Sequence, residues 1–138
     1  MLRKAVLTLR CVQERTLLAA FLLHCADLTN VVAPPPLSAR RASLLSLEFE
    51  AQADAERAAG LPVTVLLAPD DLAKARMETS FILYVCRPLF EQLVAISPPL
   101  AFLLDAMDAN VAAWAAVIEA GQQPAEASGD GSACSTRA

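Results

Sequence analysis

The chain is poor in the residues from which metal sites and nucleic-acid surfaces are built. Its 138 residues include one histidine and four cysteines, and no two cysteines have the Cys-x-x-Cys spacing of a zinc site. Lys and Arg number 11 against 15 Asp and Glu, which gives a formal net charge of −4. Because phosphate binding needs clustered Lys and Arg and these are scattered, a broad nucleic-acid-binding face is excluded.

Long apolar runs and a disulfide pattern are also missing. The uninterrupted apolar part of the first predicted helix, residues 17–23, is too short to cross a bilayer, so no membrane span is predicted. Cys11 and Cys25 would lie about 21 Å apart on that helix and cannot pair there. We therefore expect reduced cysteines and a cytoplasmic, intracellular protein. Membrane attachment through other parts of a full-length parent protein stays open.

The N-terminal stretch allows two interpretations. Arg3, Lys4, Arg10 and Arg15 have only Glu14 among them, which is typical of an organelle-targeting segment. The same residues also suit a domain helix that begins at Met1 and is deeply buried. The sequence leaves both interpretations open.

What the chain does contain favours an all-α fold. Hydrophobic residues make up 56% of the chain, and much of this total is alanine, with five Phe, one Tyr and one Trp. Such compositions are typical of helical bundles. Residues 1–120 are long enough for one domain. Residues 121–138 are small and polar and are expected to form a disordered tail.

The hydrophobic spacing and the proline positions predict four helices. They cover residues 2–26, residues 37–59, a stretch that begins at Asp70 or Asp71 and kinks at Pro88, and a stretch from Ser97 to about Ala120. Gly60 follows the second helix, as is common after helix C-termini. Residues 61–69, LPVTVLLAP, have β propensity but no partner strand, so they are interpreted as a buried connecting loop.

His24 and Asp27 are three positions apart and therefore share one face of the first predicted helix. Taken alone, such a pair is typical of a hydrogen-bonded core histidine followed by a turn, since metal sites need three or more ligands. A functional role for His24 and Asp27 is supported only by a wider set of motifs.

That wider set resembles the C-terminal third of the class I 3′,5′-cyclic nucleotide phosphodiesterase catalytic domain, over about residues 10–118. The family typically shows His-Cys-Ala-Asp-Leu-Ser-Asn, a Glu-Phe-Phe motif, a Phe-Ile-Asp-Tyr helix ending in His-Pro-Leu, and a final Leu-x-x-Asn-x-x-Trp. This chain has, in the same order, HCADLTN (24–30), EF (48–49), QADAER (52–57), Gly60, FILYVCRPLFEQL (81–93) and LLDAMDANVAAW (103–114). The resemblance implies an all-α bundle that hydrolyses cAMP or cGMP to the 5′-monophosphate.

The resemblance also implies roles for individual residues. Asp27 matches the aspartate that coordinates the tightly bound metal of a two-metal centre, zinc together with magnesium or manganese. A carboxylate at the end of a buried helix would suit that role, because burial without a cation is costly. His24 matches a residue that supports the metal centre without binding the metal.

For the nucleotide, the resemblance places Asn30 near the base, with Leu45 on one side of the base and Phe81 on the other. Glu48 and Phe49 match residues that support the wall of this pocket. Glu78 stands where the family has a glutamine that hydrogen-bonds the purine edge. An ionised carboxylate only accepts hydrogen bonds, whereas an amide both donates and accepts, so the preference between cAMP and cGMP is left open.

The chain departs from the family in other ways. Ser80 and Leu83 replace a glycine and an aspartate, and Cys86 and Arg87 replace Val-His before the proline. Glu78 itself has a second interpretation, as a charged residue on a solvated helix face.

The largest departure is the lack of histidines. The family's metal centre needs two further histidines and an aspartate, and its general acid is another histidine, all upstream. With one histidine, a single copy of this chain supplies one metal ligand and no general acid. We therefore expect a fragment, a truncated gene model or a degenerate paralogue that is inactive alone.

Two alternatives stay open. The first is a catalytically inactive helical interaction module, which would form a homodimer or bind the missing N-terminal helices. The second is an unrelated helical protein, for which Asp27, Asn30, Leu45 and Phe81 would not surround one cavity.

Overall fold

The computed structural model describes residues 11–122, and within this range the chain contains five α-helices and no strand. The helices are α1 (Val12–Asp27), α2 (Pro35–Ala58), α3 (Asp71–Ser80), α4 (Arg87–Ile96) and α5 (Phe102–Gln122). A π-helical segment, Phe81–Cys86, joins α3 to α4, and 3₁₀ turns cover Thr29–Val32 and Pro98–Ala101. The all-α prediction is confirmed.

The core lies between α3, the π-helical segment, α4 and α5. Its buried hydrophobic residues are Cys25, Val31, Ala42, Ala75, Ile82, Cys86, Phe90, Leu93, Met107 and Trp114. Phe90 and Leu93 are three positions apart on α4 and so lie on the same helix face, as in an amphipathic helix. Helices α1 and α2 each add few residues to this core.

Helix α1 is mostly exposed, so the prediction of a deeply buried first helix is wrong. Cys25 is its single buried residue, whereas Leu17 is 73% and Leu23 is 65% exposed. The physical reason is that only the C-terminal end of α1 meets the core, where Phe21 and Leu28 pack against it. Residues 2–10 of the predicted helix lie outside the described part of the chain.

A buried asparagine ties the turn after α1 to the last helix. The side-chain amide of Asn110 donates to the carbonyl oxygens of Val31, Ala33 and Ala106, at 2.9, 2.8 and 3.1 Å. The first two acceptors flank the end of the 3₁₀ turn Thr29–Val32. Since buried backbone carbonyls need donors, Asn110 fixes this turn against α5.

The helical backbone is not interrupted at Pro88. The π-helical segment leads directly into α4, which contains Pro88. Pro88 has no N–H and is the second residue of α4. Pro88 cannot donate the backbone hydrogen bond of a regular α-helix. The π-helical turn before it changes the hydrogen-bond register, so the helix continues despite this missing bond. The disruption predicted at Pro88 therefore falls just before it, at Phe81–Cys86.

The segment of residues 61–70 between α2 and α3 is a loop, as predicted, but it is not buried. Leu61 and Leu66 are exposed, and Leu67 and Ala68 are half-buried. Asp70 caps α3 by accepting from the backbone N–H of Ala73 at 2.6 Å, which confirms the predicted start of that helix.

Two other helix boundaries differ from the prediction. Ser97 makes no capping hydrogen bond, and a 3₁₀ turn precedes α5, which begins at Phe102. Helix α5 continues through Gln122, so the first two residues of the predicted tail are helical. The remainder of that prediction, residues 123–138, lies outside the described residues.

Two helical stretches are long and apolar enough to cross a membrane by length and composition. They are Asp71–Ile96, with mean hydropathy 1.3, and Pro98–Gln122, with mean hydropathy 1.5. Counting uninterrupted apolar runs missed them, because both stretches contain charged residues. Core helices of globular helical domains pass the same test, so the expected lack of a membrane span stays a prediction.

Candidate functional site

A small cavity of about 30 Å³, roughly the volume of one water molecule, lies between α2, the 61–70 segment and α3. We call it the α2–α3 cavity. It is lined by Ala42, Leu45, Ser46, Phe49, Glu50, Leu66, Leu67, Ala68, Lys74, Met77 and Glu78. Small-molecule sites are typically concave and mostly apolar, with a few polar groups that orient the ligand, and have volumes of roughly 300 Å³ or more. The α2–α3 cavity has such a lining but is far smaller.

Three residues singled out by the sequence meet in this cavity. Leu45 and Phe49 are four positions apart on α2 and share one face, as i and i+4 residues do. Glu78 approaches from α3 on the opposite side. Glu48, which was expected with Phe49 to support the pocket wall, is exposed and does not line the cavity.

The charged groups of the cavity are Glu50, Lys74 and Glu78. Burial raises the pKa of the Glu78 carboxyl, and the positive charge of Lys74, one helical turn earlier, partly offsets this effect. Lys74 itself forms an ion pair with Asp71 at 2.7 Å. Glu78 is half-buried, in surroundings that shift it toward its neutral form, so it does not lie on a fully solvated helix face.

Phe81 and Asn30, the other two expected base contacts, do not line the α2–α3 cavity. Phe81 begins the π-helical segment and is 39% exposed. Asn30 lies in the 3₁₀ turn after α1. Its side-chain oxygen Oδ1 is buried and accepts no hydrogen bond from the described residues. The structure therefore brings Leu45 but not Asp27, Asn30 and Phe81 to this cavity.

Asp27 and His24 are both exposed, at the C-terminal end of α1. The buried environment expected for Asp27 is wrong, because the helix that carries it is itself exposed. Among residues 11–122, no three His, Cys, Asp or Glu side chains are placed to hold one metal ion. The described residues alone therefore do not fit a metal centre, since such a centre needs at least three protein ligands.

The sequence reasoning missed several residues of the cavity. Met77 and Lys74 precede Glu78 on α3. The spacing of four between Lys74 and Glu78 indicates that both lie on one helix face. Leu66 and Leu67 come from a segment without periodicity. Nothing in their local sequence indicated that they would form a wall.

Taken together, these features define an all-helical domain with a small, mostly apolar cavity between α2 and α3. A sequence model of the 3′5′-cyclic nucleotide phosphodiesterase family matches residues 5–107. The chain belongs to this family. The resemblance recognised from the motifs is confirmed.

Curated relatives agree with this membership. The chain is 30% identical over 107 residues to the 3′,5′-cyclic-nucleotide phosphodiesterase regA of Dictyostelium discoideum, which covers 78% of this chain. It is 33% identical over 86 residues to the human high affinity cGMP-specific 3′,5′-cyclic phosphodiesterase 9A, covering 62%. It is also 33% identical over 90 residues to the Drosophila melanogaster 3′,5′-cyclic-AMP phosphodiesterase, isoform F, covering 64%. The chain spans 14% of the length of each of these three relatives.

The fold is similar to that of a solved relative. The phosphodiesterase domain of the RhoPDE fusion protein from the choanoflagellate Salpingoeca rosetta superposes with a TM-score of 0.74 at 36% sequence identity. The superposition covers 81% of this chain and 36% of that domain.

Proposed function

We propose that this chain forms the C-terminal part of a catalytic domain that hydrolyses a 3′,5′-cyclic nucleotide, and that the α2–α3 cavity takes the nucleotide base. One observation carries the proposal: Leu45, Phe49 and Glu78, which match the family's base-pocket positions, line a single cavity. Family membership supports the reaction class. Because the cavity has room for about one water molecule, binding of a base requires its walls to move apart.

In this proposal the apolar and polar residues have separate tasks. Leu45 presents an aliphatic surface to one face of the base, and Phe81, which does not line the cavity in this structure, moves toward the other face to stack on it. Glu78 reads the base edge. Its neutral form both donates and accepts a hydrogen bond, as the amide of a glutamine does, whereas its ionised form only accepts.

The hydrolytic centre requires residues beyond the described part of the chain. Asp27 would contribute one carboxylate ligand to a divalent metal, zinc or magnesium (or manganese) by family resemblance. The other ligands and the proton donor for the leaving oxygen must come from elsewhere, since the described residues contain no further ligand group. We therefore expect no hydrolysis by the 138-residue chain alone.

A domain chimera tests this proposal. Residues 11–118 would replace the matching segment of the Salpingoeca rosetta phosphodiesterase domain, and hydrolysis of cAMP and cGMP would be measured beside the 138-residue chain. We expect activity in the chimera and none in the short chain. Asp27→Ala should abolish the chimera's activity, while Asp105→Ala, an equally exposed carboxylate on α5, should leave it within twofold.

Two results would contradict the proposal. One is a folded chimera that hydrolyses neither nucleotide, and the other is loss of activity on Asp105→Ala equal to that on Asp27→Ala. Robust hydrolysis by the short chain would instead overturn the account of the missing ligands.

A second candidate function is an inactive helical interaction module. The observation that favours it is the exposed apolar surface of α1, where Leu17 and Leu23 both face solvent. Exposed apolar patches of this kind mark association surfaces. An inactive chimera together with concentration-dependent association of the short chain would favour this second function.

A further inference from the structure

One wall of the α2–α3 cavity consists of chain without regular secondary structure. Leu66, Leu67 and Ala68 form this wall, within the 61–70 segment. Helical walls are held by their own backbone hydrogen bonds, but a loop wall needs other anchors. At its start, the segment is tied to α2 through the Leu61 N–H, which donates to the Glu56 carbonyl oxygen at 2.9 Å.

The second anchor is the side chain of Glu56, near the end of α2. Its Oε2 accepts from the backbone N–H of Thr64 at 2.8 Å, and its Oε1 accepts from the Thr64 hydroxyl at 2.5 Å. Gln52, one turn earlier on α2, donates its Nε2–H to the same Oε1 at 3.0 Å. Among residues 11–122, no other side chain forms a hydrogen bond with residues 61–69.

We propose that Glu56 is a positioning residue for the α2–α3 cavity: by holding Thr64 at both its backbone and its hydroxyl, it sets where Leu66, Leu67 and Ala68 lie. Thr64 is two residues from this wall, so a fixed Thr64 leaves the wall little freedom. The cavity's role as a nucleotide site rests on the proposed function, but the positioning by Glu56 does not.

The charge state of Glu56 suits this role. Hydrogen bonds from Gln52 and from Thr64 hold the pKa of the Glu56 carboxyl below its usual range, so the group is an ionised acceptor at neutral pH. Charge-assisted hydrogen bonds are stronger than neutral ones. The neighbouring charges on α2, Asp54 and Arg57, pair with each other at 2.7 Å, and residues 61–69 carry no titratable side chain.

Backbone order parameters measured by NMR on the 138-residue chain test the proposal. In the unaltered protein we expect values near about 0.85 for residues 63–68, typical of rigid backbone, and in Glu56→Ala values below about 0.6. Residues of α5 should be unchanged in both proteins. The matched control is Glu91→Ala, which removes an exposed glutamate from α4 and should leave residues 63–68 rigid.

The pH profile of one signal separates positioning from a general structural role. The chemical shift of the Thr64 amide proton should follow the ionisation of Glu56, with its inflection below the usual glutamate range, because the bond to the carboxylate is lost as the pH falls through that lowered pKa. In Glu56→Gln this inflection should disappear, although the amide oxygen still accepts one bond.

Unchanged order parameters for residues 63–68 in Glu56→Ala would overturn the proposal, as would a Thr64 amide signal without that inflection. If Glu56→Ala does not fold, Thr64→Val decides. It removes the hydroxyl donor while keeping the backbone N–H and the branched shape, and we expect order parameters for residues 63–68 below those of the unaltered chain. Equal values in Thr64→Val and the unaltered chain would then refute the proposal. Neither measurement involves a nucleotide, so failure of the positioning role of Glu56 is distinguishable from failure of the proposed function.

Discussion

Glu78 shows how strongly one side chain depends on its surroundings. Glu78 lies on α3, and if it were fully exposed there, its carboxyl would be ionised at neutral pH like that of an ordinary glutamate. Burial in the α2–α3 cavity instead raises its pKa, although Lys74 works in the opposite direction. The neutral form of Glu78 offers both a donor and an acceptor, whereas its ionised form only accepts.

A pH-dependent stability change should follow from this burial. Because the pKa of Glu78 is raised in the folded state, the folded protein binds more protons than the unfolded chain in the window between the usual and the raised pKa. Stability therefore falls as the pH rises through this window. We expect Glu78→Gln, which has no charge to bury, to be more stable than the unaltered chain at pH 8 by less than about 1 kcal/mol, because solvent screens the half-buried carboxylate, and to lose this advantage near pH 4.

Urea unfolding at pH 4 and at pH 8 measures this difference. Glu119→Gln, on the exposed surface of α5, makes the same chemical change outside the cavity and should leave stability unchanged at both pH values. An advantage for Glu78→Gln that is equal at pH 4 and pH 8 would show that ionisation of Glu78 has no part in it.

Among the single residues, those on regular helices were the easiest to place. Leu45, Phe49 and Glu78 reach the cavity because helical spacing fixes which neighbours share a face. Asp27 was expected in a buried setting and is exposed. Its exposure depends on which elements cover α1, and no pattern around Asp27 carries that information.

At the scale of elements, the end of α2 is set by one glycine. Gly60 has φ +68°, in the left-handed region, and lies just past the helix. Its conformation lets the chain reverse and begin the 61–70 segment. The capping aspartate of α3 was predicted from its neighbours in the same way, whereas α2 begins at Pro35, two residues before its predicted start.

Substituting alanine at two glycines should therefore have opposite effects. A Cβ at Gly60 would meet no atom within 4 Å, so the cost of Gly60→Ala is purely conformational, about 1 kcal/mol. Gly121 lies within α5, and its Cβ would make an ordinary 3.5 Å contact with the Cδ1 atom of Leu72. Gly121→Ala should stabilise the protein by about 0.5 kcal/mol.

Thermal unfolding of the two variants beside the unaltered chain checks these signs. The two variants control for each other, because both add one methyl group. A Gly60→Ala variant as stable as the unaltered chain would mean that the left-handed conformation does not persist at this position in solution.

At the scale of the whole molecule, the apolar surface of α1 is the feature that most needs a partner. Leu17 and Leu23 are large, apolar and mostly exposed. The chain superposes on 36% of a solved phosphodiesterase domain, so the remainder of that domain has no counterpart in this superposition. An apolar helix surface without cover favours association.

We expect the 138-residue chain to associate in a concentration-dependent manner. Sedimentation velocity at micromolar concentrations should detect this, and the double variant Leu17→Lys with Leu23→Lys should shift the chain to the monomer. Because both side chains are exposed, the free energy of unfolding should change by no more than about 0.5 kcal/mol.

Leu93→Ala is the contrasting control. Leu93 is 5% exposed in the core, so its truncation should cost about 3 kcal/mol in unfolding free energy without relieving association. Association that persists unchanged in the double lysine variant would place the contact surface elsewhere than on α1.

The sequence by itself determined the class of this protein: helical composition and periodicity predict an all-α chain, and several ordered motifs indicate the phosphodiesterase family. These features are local, since propensity, capping and helical spacing depend on residues within a few positions of each other. The tertiary structure alone decided that α1 is exposed, that the 61–70 segment forms a wall, and that Glu78 is half-buried while Asp27 is exposed. Burial depends on which distant elements cover a residue, and no spacing along the chain encodes that.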